Sequence, residues 1–396
     1  DYDDTNKTTT LTERDGSKII YKYDDKYRIT EVVYNDGIEK FTFNGKDQKT
    51  SFTDKKGNTF YYDYDDNGNI KLVEDPLGQK TKYTYDNNNR MTLAEQPDGK
   101  TYSYAYDDKG NMLTSTDQAN RTTEYEYNSK GLPVKIILPD KSIVEMGYDN
   151  KGNLKEVKNT LDGIVKYEYD SLNRVKTTTD PNGYKTSYEY TDAGEIKKVI
   201  DAQGNSASFH YNVSGKLEEA VDPYGRKTTY TFNKGDQLIE VVDQLGKKIS
   251  YEYDELGNLK KITDKNGKVT EYKYDSLSRL VSTKDPESYT TAFEYDPNGN
   301  IVKSRDAKGN ITKYEYDQLN RLVLAIDAKN GETKYEYDSV GRIIKVINPL
   351  QQTTEYGYDE TGRIKEVKDP MGNITSRTYN VLGLLETVTN AEGAVT

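Results

Sequence analysis

The chain has 396 residues, 33% of them hydrophobic and 31% charged, with a net charge of −11 and a mean hydropathy of −0.99. It contains 37 tyrosines but no tryptophan and no cysteine, which excludes disulfides, thiolate metal sites and thiol catalysis. The negative charge is spread along the chain with no basic block, which argues against a nucleic-acid partner, and no apolar run reaches the roughly 18–20 residues of a membrane-spanning helix.

From the N-terminus, Asp1-Tyr2-Asp3-Asp4 carries no signal-peptide pattern. Aromatic residues then recur at Tyr2, Tyr23 and Phe43, and from there at one interval of 21: Tyr64, Tyr85, Tyr106, Tyr127, Tyr148, Tyr169, Tyr190, Tyr211, Phe232, Tyr253, Tyr274, Tyr295, Tyr316, Tyr337, Tyr358 and Tyr379. Only the step from Tyr23 to Phe43 shrinks, to 20. Self-similarity at a fixed period marks a repeat array, in which each unit buries apolar surface only against its neighbours. About nineteen units are expected to form one domain over 1–396, regular over 62–379 and weaker over 1–61 and 380–396. The periodicity argues against the disorder that so hydrophilic a composition would otherwise suggest. The chain begins and ends inside a repeat, so a longer polypeptide is expected, with any targeting signal in another part of it.

One unit, from Tyr253 to Tyr274, reads as two strands and two turns. Thr270, Tyr272 and Tyr274 alternate with Glu271 and Lys273, the period-two signature of a strand with one packed and one charged face. Tyrosine suits a thin sheet with solvent on both sides, its ring packed and its hydroxyl expected to stay in water. Asp or Asn follows the aromatic in fifteen of the sixteen regular units, and Gly or Asn usually follows three residues later, as in Asp65 with Gly68. This pattern predicts a reversal, with the carboxylate bonding its own turn and Gly or Asn supplying positive φ. Aliphatic residues stand six and nine residues after the aromatic, as Leu259 and Ile262. A spacing of three breaks strict alternation and predicts a bulge or twist in the second strand. Pro133 interrupts the first of these columns as a non-strand residue. Asp-Pro-x-Gly, as at Asp75-Pro76 with Gly78, marks the second reversal. Each unit is therefore predicted to be a β-hairpin, with about 38 short strands in an antiparallel strip. A parallel β-helix with 21-residue coils is the rival architecture, against which the reversal turns weigh.

The stretches Tyr335-Glu336-Tyr337-Asp338-Ser339-Val340-Gly341-Arg342-Ile343 and Tyr356-Gly357-Tyr358-Asp359-Glu360-Thr361-Gly362-Arg363-Ile364 resemble the YD repeat of the rearrangement-hotspot (RHS) family. The resemblance runs over essentially the whole chain. It implies an all-β fold in which tandem hairpins form a long antiparallel strip that curls into a spiral, hollow shell. That family includes bacterial polymorphic toxins, insecticidal toxin-complex subunits and animal teneurins, and in the toxins the shell encloses a C-terminal toxin. The family's self-cleaving core segment is not found: Asp369-Pro370-Met371-Gly372 sits in the ordinary second-turn column and lacks a glycine-rich continuation. Self-cleavage and toxin activity are therefore not expected of these residues.

Three motifs invite chemical readings. Asp63, Asp65, Asn67, Gly68 and Glu74 satisfy a calcium-loop pattern, yet Asp65 and Gly68 are ordinary turn residues and the flanks read as strands where an EF-hand has helices. His210, the single histidine, lies on the charged parity of its strand and is expected to be exposed. Arg90, Arg174, Arg279, Arg321, Arg342 and Arg363 form a column expected to bridge turn carboxylates or cover a neighbouring Tyr ring, with partner recognition as a second reading. The tyrosine ladder itself reads as cross-strand packing of stacked rings, with sugar or peptide binding as the alternative. No metal, cofactor or catalytic set is expected.

The expected function is a non-enzymatic structural module resembling the shell wall of an RHS-type bacterial toxin or surface protein, secreted or at the cell surface. A cell-surface adhesin or glycan-binding array is the alternative, and a glycan-cleaving solenoid enzyme a third class. Expected partners are flanking domains of the same polypeptide, such as an enclosed C-terminal toxin, a glycan or cell-surface ligand, and other copies through end-to-end association of raw sheet edges.

Overall fold

The structure, a computed structural model, describes residues 1–13, 16–160 and 163–396. These residues form 38 strands, most of five or six residues, in a single sheet, with no helix among them. The pairing around Tyr253 shows how the sequence dictates the sheet. Strand Lys248–Tyr253 runs antiparallel to Leu259–Thr263, with Tyr251 opposite Ile262, Glu252 opposite Lys261 and Tyr253 opposite Leu259. Lys260 is thus one residue too many on its side, which is the bulge. It brings the columns six and nine residues after the aromatic onto one face despite their spacing of three. Leu259–Thr263 then pairs with Val269–Tyr274, placing Ile262 opposite Thr270. Antiparallel pairing of consecutive strands rules out the parallel β-helix.

Both reversals have the same construction, a three-residue loop closed by a left-handed residue. In the first, the Asp254 amide donates to Asn258 O at 2.9 Å and the Gly257 amide to Asp254 O at 3.1 Å. In the second, Asp264 and Gly267 make the corresponding bonds at 2.9 Å each. The carboxylates brace the loops: Asp254 Oδ1 accepts from the Leu256 and Asn258 amides at 3.0 and 2.8 Å. Gly257 has φ of 90°, a region that L side chains seldom enter, and Asn89 takes the equivalent place at 62°. The 20-residue step is explained by the link from Ile29–Tyr34 to Gly37–Phe43. There Tyr34 pairs directly with Gly37, leaving a two-residue turn, Asn35-Asp36, instead of three. Pro133 departs from its non-strand reading: it opens strand Pro133–Ile137 opposite Tyr127, a strand's first position being one that proline tolerates.

The sheet has no dry interior. Val32 and Ala94, each 5% exposed, are the buried apolar residues among those described, and no large side chain is fully buried. Tyr and aliphatic residues line one face, half-buried. Cross-strand ion pairs line the other, such as Lys261 to Glu252 at 2.8 Å and Lys303 to Glu294 at 2.7 Å. Pairs so exposed contribute little each, about 0–1 kcal/mol. The strands group into two compact units. One holds Asp1–Ala105, Thr114–Thr122 and Lys273–Thr396; the other holds Tyr106–Leu113 and Thr123–Tyr272.

Candidate functional site

Two kinds of side-chain contact stitch neighbouring hairpins together. The bulge makes the first possible. Strand Leu238–Val242 engages the following strand only from Glu240 onward, paired with Ser250, so the Leu238 carbonyl has no partner in that ladder. The Tyr253 hydroxyl donates to it at 2.8 Å. The same bond, always to the residue 15 positions earlier, recurs from Tyr64 to Lys49 O at 2.7 Å, Tyr148 to Pro133 O at 2.7 Å and Tyr379 to Ile364 O at 2.8 Å. This corrects the expectation that the hydroxyl stays in water, because the kinked second strand offers an acceptor within reach. Burial raises the pKa of Tyr64, Tyr148 and Tyr253 above the ordinary phenol value, so each keeps the proton it donates. The sequence carried a signal for this bond: tyrosine rather than phenylalanine fills all but Phe232 of the regular column.

The second stitch is the arginine column, which does both things expected of it and a third. Arg321 Nε donates to Asp317 Oδ2 at 2.7 Å, its guanidinium lies 4.5 Å from the Tyr337 ring centroid, and Nη1 donates to Asp338 O of the next turn at 3.4 Å. Arg174 repeats the set with Asp170, Tyr190 and Thr191 O. A guanidinium therefore covers tyrosine faces where stacking of rings was expected. Ring stacking is seen across Phe41, Phe52 and Phe60, with centroids 5.4 and 6.3 Å apart.

A third set of contacts was not legible in the sequence. Within the unit that contains both termini, second turns of residues 36–121 meet first turns of residues 279–383 edge to edge. Asp36 accepts from Lys55 at 3.0 Å and, 243 residues away, from Arg279 Nη1 at 3.1 Å. Asn298 Nδ2 donates to Asp54 Oδ2 at 2.7 Å, and Lys56 Nζ lies 3.1 Å from Asp296 Oδ2. Arg342 stands 3.7 Å from Asp98, Lys100 donates to Glu360 O at 3.0 Å, and Arg121 donates to Val381 O at 3.2 Å. Burial pushes the Asp296 carboxyl up, but Asn300 and Lys56 outweigh it and hold the group below its usual range. Lys55 also sits 3.9 Å from the Tyr34 ring, whose hydroxyl is pushed up to about 12 by burial and by Glu39.

The calcium-type residues are committed elsewhere. Asp63 lies in strand Thr59–Tyr64, paired with Lys71 at 3.1 Å, Asp65 Oδ2 accepts from Asn69 at 2.9 Å, and Glu74 lies 3.4 Å from Lys80. Among the described residues no group of three or more His, Asp or Glu side chains is placed to hold a metal ion. His210 is exposed, opposite Glu219. No described helix is long and apolar enough to cross a membrane.

Single-sheet hairpins, recurring three-residue turns and stitches that reach one unit away define a tandem β-hairpin repeat protein. The teneurin YD-shell family matches residues 35–161 and 265–390, more than half of the chain, and the RHS repeat matches 148–186, 169–206 and 232–269. The chain belongs to the teneurin YD-shell family. No curated protein matches it in sequence. Among solved structures, it is similar to TcdB2-TccC3 without its hypervariable C-terminal region, at 13% identity and a TM-score of 0.80, over 98% of this chain and 26% of that one. A TcdB2-TccC3-TEV crystal structure matches at 17% identity and 0.76, over 95% and 25%. A Photorhabdus luminescens Tc holotoxin pore matches at 14% and 0.62, over 96% and 27%. The chain spans about a quarter of the length of these structures, and the likeness is one of fold.

Proposed function

We propose that this chain is a wall-forming module: a single array over 1–396 that serves as part of an extracellular shell and performs no chemistry. The edge-to-edge contact between residues 36–121 and 279–383 carries this reading, because a strip that docks on its own edge makes a continuous wall out of a one-layer sheet. A wall of this kind serves a polypeptide that has something to enclose, such as a toxin domain downstream, as the likeness to the toxin-complex structures suggests. Secretion or display on a bacterial surface fits that role. The terminal strand Tyr2–Asp3 and the opposite end, where Leu385–Thr389 is paired with Val395 and Thr396, are where flanking repeats or other copies would add.

Fusing an unrelated, protease-sensitive domain after Thr396 tests the reading. Protection of that domain while the repeats are intact, together with a hollow particle in electron micrographs, is the expected result; digestion at the rate of the free domain would refute it. The adhesin reading rests on Tyr224, 83% exposed on a second turn with Arg226 5.1 Å from its ring. Glycan-array binding that disappears in Tyr224→Ala would favour it over the wall.

A further inference from the structure

We infer that the third residue after the column aromatic, at the tip of the first turn, is the docking determinant by which the strip recognises its own second-turn edge. This position reads Lys26, Lys46, Asn67, Asn88, Lys109, Lys130 and Lys151 in the early repeats, and all seven are exposed. In the repeats that meet the opposing edge it reads Leu277, Asn298, Leu319, Val340, Thr361 and Leu382, and all six are half-buried.

Residue type does not account for the difference. Leu172 occupies the same turn position as Leu319 and is 66% exposed, whereas Leu319 is half-buried. Asn67 and Asn88 are exposed at the place where Asn298 is half-buried and donates to Asp54. The turns are built alike: Asp317 and Asp86 close their loops with the same pair of backbone bonds, and Asn320 and Asn89 both take positive φ, 59° and 62°. What differs is that the later turns have a second edge laid against them. The contacts flanking this position are polar and specific, from Arg279 to Asp36 through Asn298 to Asp54 and Arg121 to Val381 O. At the half-buried tip between such contacts, an aliphatic side chain loses water that a lysine would keep, at about 25 cal/mol per Å² of apolar surface covered. The partner is therefore a second-turn edge of YD hairpins presenting alternating carboxylates and amines, here Asp36, Asp54, Lys56, Asp98 and Lys100 of the same chain.

This inference rests on the edge contact but not on what a wall encloses, so it can fail while the wall reading stands. The chain has no native cysteine, which allows a direct test. Asp54→Cys with Asn298→Cys places two thiols across the contact, and intramolecular cross-linking by a short bismaleimide should be rapid and independent of protein concentration. Adding Leu319→Lys and Val340→Lys, a residue the same turn position accepts at Lys26 and Lys109, should slow that cross-linking at least tenfold without changing the far-ultraviolet circular dichroism. Asn88→Leu on an exposed turn serves as the control and should leave the rate unchanged. An unchanged rate in the double lysine variant overturns the proposal, as does cross-linking found only between molecules. Should the double variant lose its dichroism, the milder Leu319→Asn decides the matter by the same rate.

Discussion

Repeats between Asp275 and Tyr379 differ from those between Thr191 and Tyr253 in how firmly each hairpin is fastened to the next. The former carry Arg279, Arg321, Arg342 and Arg363, each 4.3–5.0 Å from the ring of the following tyrosine and bound to its own turn aspartate. The latter have Glu195, Lys216 and Gln237 at that position. They rely on the hydroxyl bonds of Tyr211 and Tyr253, with an added amide bond from Gln237 to Gly257 O. At Phe232 the hydroxyl is missing as well. Cohesion in a one-layer sheet is thus a property of individual boundaries, and stability varies along the strip instead of being shared through a common core.

The largest effect should come from removing an arginine. Arg321→Ala deletes the fork to Asp317, the cover on Tyr337 and the bond to Asp338 O, and should destabilise that boundary by about 2 kcal/mol. Amide hydrogen exchange should quicken in strands Leu322–Ile326 and Glu332–Tyr337 and stay unchanged around Tyr253. Equal quickening everywhere would mean that stability is shared after all.

Next in size are the hydroxyl swaps. Tyr337→Phe leaves the Leu322 carbonyl without its donor and should cost about 1 kcal/mol, whereas Phe232→Tyr should stabilise its weak boundary by a similar amount. Urea melts of the two variants should move in opposite directions.

The same bonds set an alkaline limit. Burial raises the pKa of Tyr64, Tyr127, Tyr148, Tyr169 and Tyr253, so the folded state binds those protons more tightly than the unfolded chain. Their contribution is complete below about pH 10 and is lost as pH climbs through the raised values. A step of tyrosinate absorbance from these column residues should therefore accompany unfolding, after exposed tyrosines such as Tyr224 have contributed theirs.

The smallest effect lies at the acid end. Hydrogen bonds from the Asn111 side chain, and then from backbone amides, hold the Asp107 carboxyl below its ordinary 3.8. A depressed value stabilises the fold above that pH and ceases to do so as pH falls through the folded pKa. Asn replaces Asp in this column at Asn128 and Asn212, so Asp107→Asn should keep the turn and slightly reduce the loss of melting temperature between pH 4 and pH 2.

Local structure was legible because it is dictated locally. Asp254 with Gly257 writes its own reversal, and the spacing of Leu259 and Ile262 announces the bulge at Lys260. The hydroxyl acceptor was harder to foresee, since it exists only once the bulge has withdrawn the Leu238 carbonyl from the ladder, although the near absence of Phe from the column was a clue. The meeting of Asp54 with Asn298 was beyond reach of any periodic argument. It joins residues 244 apart in the chain, and a 21-residue period says nothing about which distant turns meet.

Each stitch spans one boundary, the hydroxyl reaching 15 residues back and the guanidinium 17 ahead. Whole units of 21 can therefore be gained or lost by unequal recombination without disturbing any stitch. Copy number is felt only where the two edges touch. One unit inserted between residues 121 and 275 would bring Leu277 instead of Asn298 opposite Asp54, exchanging an amide for a hydrocarbon. That contact makes the number of repeats between the two edges matter to the fold as much as the residues within them.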